Sequence, residues 1–137
     1  MKALVVDDDL TTRIVLQEML SRYAEVHSCV DGAEAVQAYS RALDNGAAYD
    51  LICLDLLMPT MSGLEALKLI RQEEERRGRA RPHGAKVIIT TGSDDSDSIN
   101  SAFRELCDAY IVKPIDGAEL LNLVYCLCPG IEGPEER

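Results

Sequence analysis

The sequence predicts an α/β protein, a doubly wound (βα)5 sandwich with five parallel strands covered on both faces by five helices. Two observations carry that expectation. Short apolar runs alternate five times with stretches of helical period, as right-handed β–α–β crossovers require. Aromatics are scarce, one Phe and five Tyr without Trp, although 47% of the 137 residues are hydrophobic. Aliphatic side chains must therefore fill the core, as in parallel strands buried on both faces.

Lys2 to Val6 is the first apolar run, and Leu10 to Tyr23 follows with Leu10, Ile14, Val15, Met19 and Leu20 at helical spacing. Glu25 to Val30 alternates like a half-buried strand, and Asp31-Gly32 opens an Ala-rich helix to about Leu43 that Asn45-Gly46 stops. Leu51 to Leu54 is a continuous apolar run ended by Asp55, and a helix runs from about Ser62 into Glu75. Glu73 to Lys86, broken by Gly78, Pro82 and Gly84, reads as a frayed helix end and a loop. Val87 to Thr90 is the fourth strand, Ser96 to Cys107 a helix, Ala109 to Val112 the fifth strand and Gly117 to Cys126 the last helix. Residues 1–128 are expected to form one domain, and residues 129–137 a disordered tail.

A formal net charge of −10 argues against direct nucleic-acid binding, which relies on a local excess of Lys and Arg. The four-residue run Ala3 to Val6 is too short for a signal peptide, and nothing later suits membrane insertion. Five cysteines, an odd number with Cys29 and Cys53 inside apolar runs, suit a reduced, cytoplasmic protein. Cys126 and Cys128, two apart on a helix, point about 200° from one another and make no metal pair. His27 and His83 lack evident partners in the sequence, and Arg76 to Arg81 reads as a solvated charged loop.

In such sheets ligands bind at the carboxyl ends of the strands. Asp7 and Asp8 end the first strand, Asp55 the third, Thr91 the fourth and Lys113 the fifth. Each alone is explained by helix capping or solvation, but four separate segments converge on one edge. Three carboxylates about 5 Å apart repel by about 3 kcal/mol per pair at an effective dielectric near 20. A hard divalent ion offsets that, and Mg²⁺ takes one or two carboxylates with waters and phosphate oxygens. A carboxylate beside such an ion can attack a phosphoryl group, with Lys113 screening charge and the Thr91 hydroxyl contacting a phosphoryl oxygen.

The runs Leu4-Val5-Val6-Asp7-Asp8-Asp9 and Asp50 to Gly63, with the pairs Thr91-Gly92 and Lys113-Pro114, resemble the receiver domains of two-component response regulators, including CheY. The resemblance covers about residues 2 to 127. It implies a flavodoxin-like sheet in the order 2-1-3-4-5. It also implies Asp55 as phosphoacceptor, and Mg²⁺ held by Asp7, Asp8, Asp55 and the backbone carbonyl of Leu57. Lys113 becomes the phosphate-binding lysine, Thr91 the switch hydroxyl and Tyr110 the aromatic switch, with a Lys113-Pro114 bond commonly cis. The implied partners are a histidine kinase or histidine phosphotransfer protein, a downstream effector met through the face of helix four, strand five and helix five, and, after phosphorylation, a second copy in a homodimer. Such a domain assists its own modification and is not a turnover enzyme.

Two positions tune phosphoryl lifetime in this family, here Leu57 and Ser93, and an apolar Leu57 implies slow loss. A dehalogenase-type phosphatase also uses an Asp nucleophile with Mg²⁺, but it needs a second Asp two residues on, where this chain has Leu57. A receiver-like interaction domain without phosphorylation is the other alternative, and the retained Asp7, Asp8, Asp55, Thr91 and Lys113 weigh against it. The run Ser93 to Ser98 offers N-caps for the fourth helix.

Overall fold

The central strands form where aliphatic residues run unbroken, and the helices start where a short polar side chain can cap them. The structure, a computed structural model, describes residues 1–80, 83–92 and 101–130, with the backbone alone for 101–103. Its strands are β1 (Lys2–Val6), β2 (Glu25–Cys29), β3 (Leu51–Asp55), β4 (Lys86–Thr91) and β5 (Ala109–Val112). Its helices are α1 (Leu10–Leu20), α2 (Gly32–Asp44), α3 (Gly63–Arg76), α4 (Ser101–Leu106) and α5 (Gly117–Leu127). All strand pairs are parallel, in the order β2-β1-β3-β4-β5.

Side chains alternate across the sheet with period two, which divides the core. Leu4, Val6, Ile52, Leu54, Val87 and Ile89 pack with Tyr39 of α2 and with Leu67 and Ile70 of α3. Ala3, Val5, Leu51, Cys53, Ile88 and Ile111 pack with Leu16 and Leu20 of α1 and with Leu120 and Val124 of α5. β3, at the centre, is buried at all five positions. In α1, α2, α3 and α5 the N-cap side chain, Asp9, Asp31, Ser62 or Asp116, accepts from an amide two or three residues on, each bond worth about 1 kcal/mol.

Several expectations need correction. α1 turns Leu16 and Leu20 to the core and leaves Leu10 and Ile14 exposed. Its apolar residues surround the helix, so their spacing did not settle which stripe packs. α1 also stops at Leu20 rather than Tyr23. β2 lies at the sheet edge and buries only Cys29, too little for a half-buried alternation. Cys128 caps α5 and is not within it.

The segment read as a frayed helix end is helical as far as Arg76 and turns Glu74 and Ala85 inward, while Arg76 stays exposed. Arg71 and Glu74 are buried and bonded to each other at 2.9 Å. The Arg71 guanidinium also donates to the carbonyls of Leu106 (2.9 Å) and Ala85 (2.8 Å) and to Asp108 Oδ2 (3.1 Å). Glu74 accepts from the Tyr39 hydroxyl and the Ala85 amide. Arg76 and Arg77 pair with Glu73, and Arg77 also with Asp44. They are bound within the chain, and Arg76 first, then Arg77 and Ser40, hold the Glu73 carboxyl down at about 2. The start of the fourth helix before residue 101, the caps in Ser93 to Ser98, the Ser93 position, Arg81 and the tail from residue 131 lie outside the described residues.

Candidate functional site

Three strands deliver the charged group. Asp55 is the last residue of β3, while Asp7 and Lys113 directly follow β1 and β5. Asp7 and Asp55 are buried and Asp8 is exposed. One carboxylate oxygen from each lies within 4.8 Å of those of the other two. Lys113 Nζ spans the gap, 3.0 Å from Asp7 Oδ2 and 3.3 Å from Asp55 Oδ1. Burial, and then the charge of Asp7, raise the Asp55 carboxyl to about 6 despite Lys113. For Lys113, burial opposes its charge, but the bond to Asp7 and the charges of Asp55 and Asp7 outweigh this and raise its pKa.

Neighbouring groups fix the geometry. Asp7 Oδ1 accepts the Asp9 amide at 2.9 Å, and Arg13 donates to the Asp7 carbonyl at 2.8 Å. Asp9 caps α1, and its bonds from the Thr12 hydroxyl and amide hold its carboxyl below the usual range. The Lys113 amide donates to the Thr91 carbonyl at 2.7 Å, and the Lys113-Pro114 bond is cis. After Asp55 the chain turns through Thr60, whose φ of 71° is costly for a β-branched residue. It returns so closely that a Cβ on Gly63 would meet the Asp55 carbonyl oxygen at 2.2 Å.

Asp7, Asp8, Asp55 and Lys113 are thus brought together. Thr91 is buried beside them, but its hydroxyl donates to the Gly92 carbonyl at 3.2 Å. Tyr110 is 40% exposed, with the Arg104 guanidinium 5.5 Å from its ring centroid. The Leu57 side chain is exposed. Sequence reasoning missed Arg13, and it quoted Gly63 at the end of the Asp50 to Gly63 run without giving it a role. Gly63 could have been suspected, because glycine at the first turn of a helix is otherwise a poor choice. His27, expected to lack partners, bonds the Tyr49 hydroxyl and Glu25, both at 2.7 Å. It stands on β2, away from the acidic group.

This oxygen-only donor set fits a hard divalent cation. When ionised, three carboxylates against one ammonium leave two unbalanced negative charges, which add to burial, the larger cause, in raising the Asp55 pKa. Among the described residues, no helix is long and apolar enough to cross a membrane.

Fold and site together define a flavodoxin-like α/β protein with an acidic, lysine-bridged centre at the carboxyl ends of its strands. The chain belongs to the response regulator receiver domain family of two-component systems, whose profile matches residues 3–125. It is 31% identical over 140 aligned residues to "Probable histidine kinase 2" of Oryza sativa subsp. indica, covering 95% of this chain and 13% of that protein. It is 29% identical to "Chemotaxis protein CheY" of Treponema pallidum, covering 90% of this chain and 79% of that one. A CheY-like response regulator receiver domain from Methylobacillus flagellatus superposes with a TM-score of 0.73 at 26% identity, covering 93% and 98% of the two chains. The chain therefore spans about an eighth of the length of the rice kinase and most of the chemotaxis protein.

Proposed function

We propose that this receiver domain is a phosphorylation switch with Asp55 as its acceptor. The observation that supports this reading is the convergence of Asp7, Asp8 and Asp55 oxygens within 4.8 Å, bridged by Lys113. A carboxylate oxygen of Asp55 attacks the phosphorus of a phosphohistidine on a histidine kinase or phosphotransfer protein. The new O–P bond forms as the P–N bond breaks, and the bonding electrons leave with the imidazole. Lys113 turns from Asp55 toward the incoming phosphoryl oxygens, so positioning and electrostatics do most of the work. Asp7, Asp8, Asp55 and the Leu57 carbonyl would hold Mg²⁺, which would further neutralise the phosphoryl charge.

The readout is a change of bonding partners. The Thr91 hydroxyl exchanges the Gly92 carbonyl for a phosphoryl oxygen, and Tyr110 leaves Arg104 and turns inward, altering the α4, β5 and α5 face for an effector or a second copy. The working unit is residues 1–128, in the cytoplasm, with 129–137 as a tail. Leu57 in place of an acid–base Asp removes the phosphatase alternative's key group.

Beryllofluoride, which stands in for a phosphoryl group on a carboxylate, tests the reading. In Mg²⁺ it should shift the amide resonances of Asp55, Thr91 and Tyr110 in the native chain and leave Asp55→Asn unchanged. Equal shifts in the two proteins, or none in either, would refute it.

A further inference from the structure

We propose that Thr90 is a positioning residue of the switch, whose hydroxyl takes over an oxygen of Asp55 when Lys113 turns to the phosphoryl group. The inference rests on Asp55 being the acceptor. β4 pairs with β3 so that Thr90 stands opposite Asp55, and with β5 so that it stands opposite Ile111. Side chains alternate along a strand, and Ile88, Cys53 and Ile111 all belong to the core beneath α1 and α5. Thr90 and Asp55, two residues beyond Ile88 and Cys53, share that face. Adjacent strands lie about 4.8 Å apart, so Thr90 forms the floor beside the Lys113–Asp55 ion pair.

Thr90 is 1% exposed, and its hydroxyl is buried without a hydrogen-bond partner among the described residues. An unpaired buried hydroxyl is a net loss, and a valine of the same shape would avoid it. A partner that appears only in another state of the site accounts for the group. In the free site, Lys113 Nζ holds Asp55 Oδ1 at 3.3 Å. After transfer, one Asp55 oxygen is bonded to phosphorus, and the ammonium is drawn to the phosphoryl oxygens. The remaining carbonyl oxygen of Asp55 keeps two lone pairs and loses the lysine.

Rotation about the Cα–Cβ bond of Thr90 carries its hydroxyl toward that oxygen, with no proton transferred. The bond is made in the phosphorylated state and missing in the free one, so it favours the former. Thr91 and Thr90 then serve opposite ends of the same group, one the phosphoryl oxygens and the other the acyl oxygen.

The test compares the native chain with Thr90→Val and Thr90→Ser. Thr90→Val should weaken beryllofluoride binding in Mg²⁺ about tenfold, as expected for one lost hydrogen bond, and shorten the phosphoryl lifetime in proportion. Its affinity for Mg²⁺ alone should stay within about twofold, and its unfolding temperature without ligand should equal or exceed the native one. Thr90→Ser should restore beryllofluoride binding. Native beryllofluoride affinity in Thr90→Val would overturn the proposal. So would a loss of ligand-free stability as large as the loss in binding, because the hydroxyl would then be paired in both states. If the native chain itself binds no beryllofluoride, the acceptor reading fails and this role falls with it.

Discussion

The Cα of Gly63 packs against the backbone of Asp55 so tightly that a methyl group there would stand 2.2 Å from the Asp55 carbonyl oxygen. The first turn of α3 therefore rests on the residue that carries the chemistry, and the Gly63 amide donates to Leu56 at 2.8 Å. Gly63→Ala must push α3 away from the end of β3. We expect a loss of about 2 kcal/mol or more in urea unfolding, the scale of an overpacked core, together with weaker Mg²⁺ binding. A variant of native stability and native Mg²⁺ affinity would show that the contact relaxes freely.

Asp55 makes the ligand-free protein less stable near neutral pH. Its carboxyl titrates at about 6 in the folded chain and at about 3.9 when unfolded. The folded state binds the proton more tightly, so this contribution is complete below pH ~4 and is lost as pH rises through ~6. Asp55→Asn should be more stable than the native chain by about 3 kcal/mol at pH 7.5 without divalent ions, with the difference closing near pH 4. Mg²⁺ should narrow the gap at pH 7.5 by binding the native site preferentially. Urea unfolding across that range reads the effect, and a difference independent of pH would count against it.

Arg71 bonds both Glu74 and Asp108 inside the protein. Arg71→Met removes the guanidinium that bonds both carboxylates and should cost about 3–5 kcal/mol. Arg71→Met combined with Glu74→Leu should recover part of that loss, because one buried charge disappears with its partner. Chemical denaturation of the single and double variants checks it, and a double variant less stable than Arg71→Met would refute the pairing.

Leu57 has an exposed side chain two residues beyond Asp55 and offers no group to orient an attacking water. Leu57→Asn should shorten the phosphoryl lifetime several-fold without lowering stability. Phosphate release after labelling measures this, and equal or faster loss from the native chain would contradict it.

The strand cores and the carboxyl-edge residues were legible in the sequence because each depends on local pattern. An unbroken aliphatic run such as Leu51 to Leu54 has one place to go in a parallel sheet, and strand ends point toward the ligand edge. The packing phase of α1 was not legible, since apolar residues on several sides leave the choice to neighbouring helices. Glu74 was misread as part of a frayed end because charge suggests solvent, and Arg71 was given no role. Yet Leu67, Ile70, Arg71 and Glu74 share one buried stripe of α3 at the i, i+3, i+4, i+7 spacing of a core face, which was the available clue. The His27 bonds with Tyr49 and Glu25, and the Thr90 hydroxyl without a partner among the described residues, depend on strand register, which a single sequence does not report.

Phosphoryl transfer itself tests the central claim most directly. The chain would be incubated with acetyl phosphate in Mg²⁺ or in chelator, and the intact mass of native protein compared with that of Asp55→Asn. The phosphoacceptor reading predicts one added phosphoryl group on the native chain in Mg²⁺ alone, assigned by fragmentation to Asp55. A chain that gains none, or an Asp55→Asn variant that gains it equally well, would contradict it.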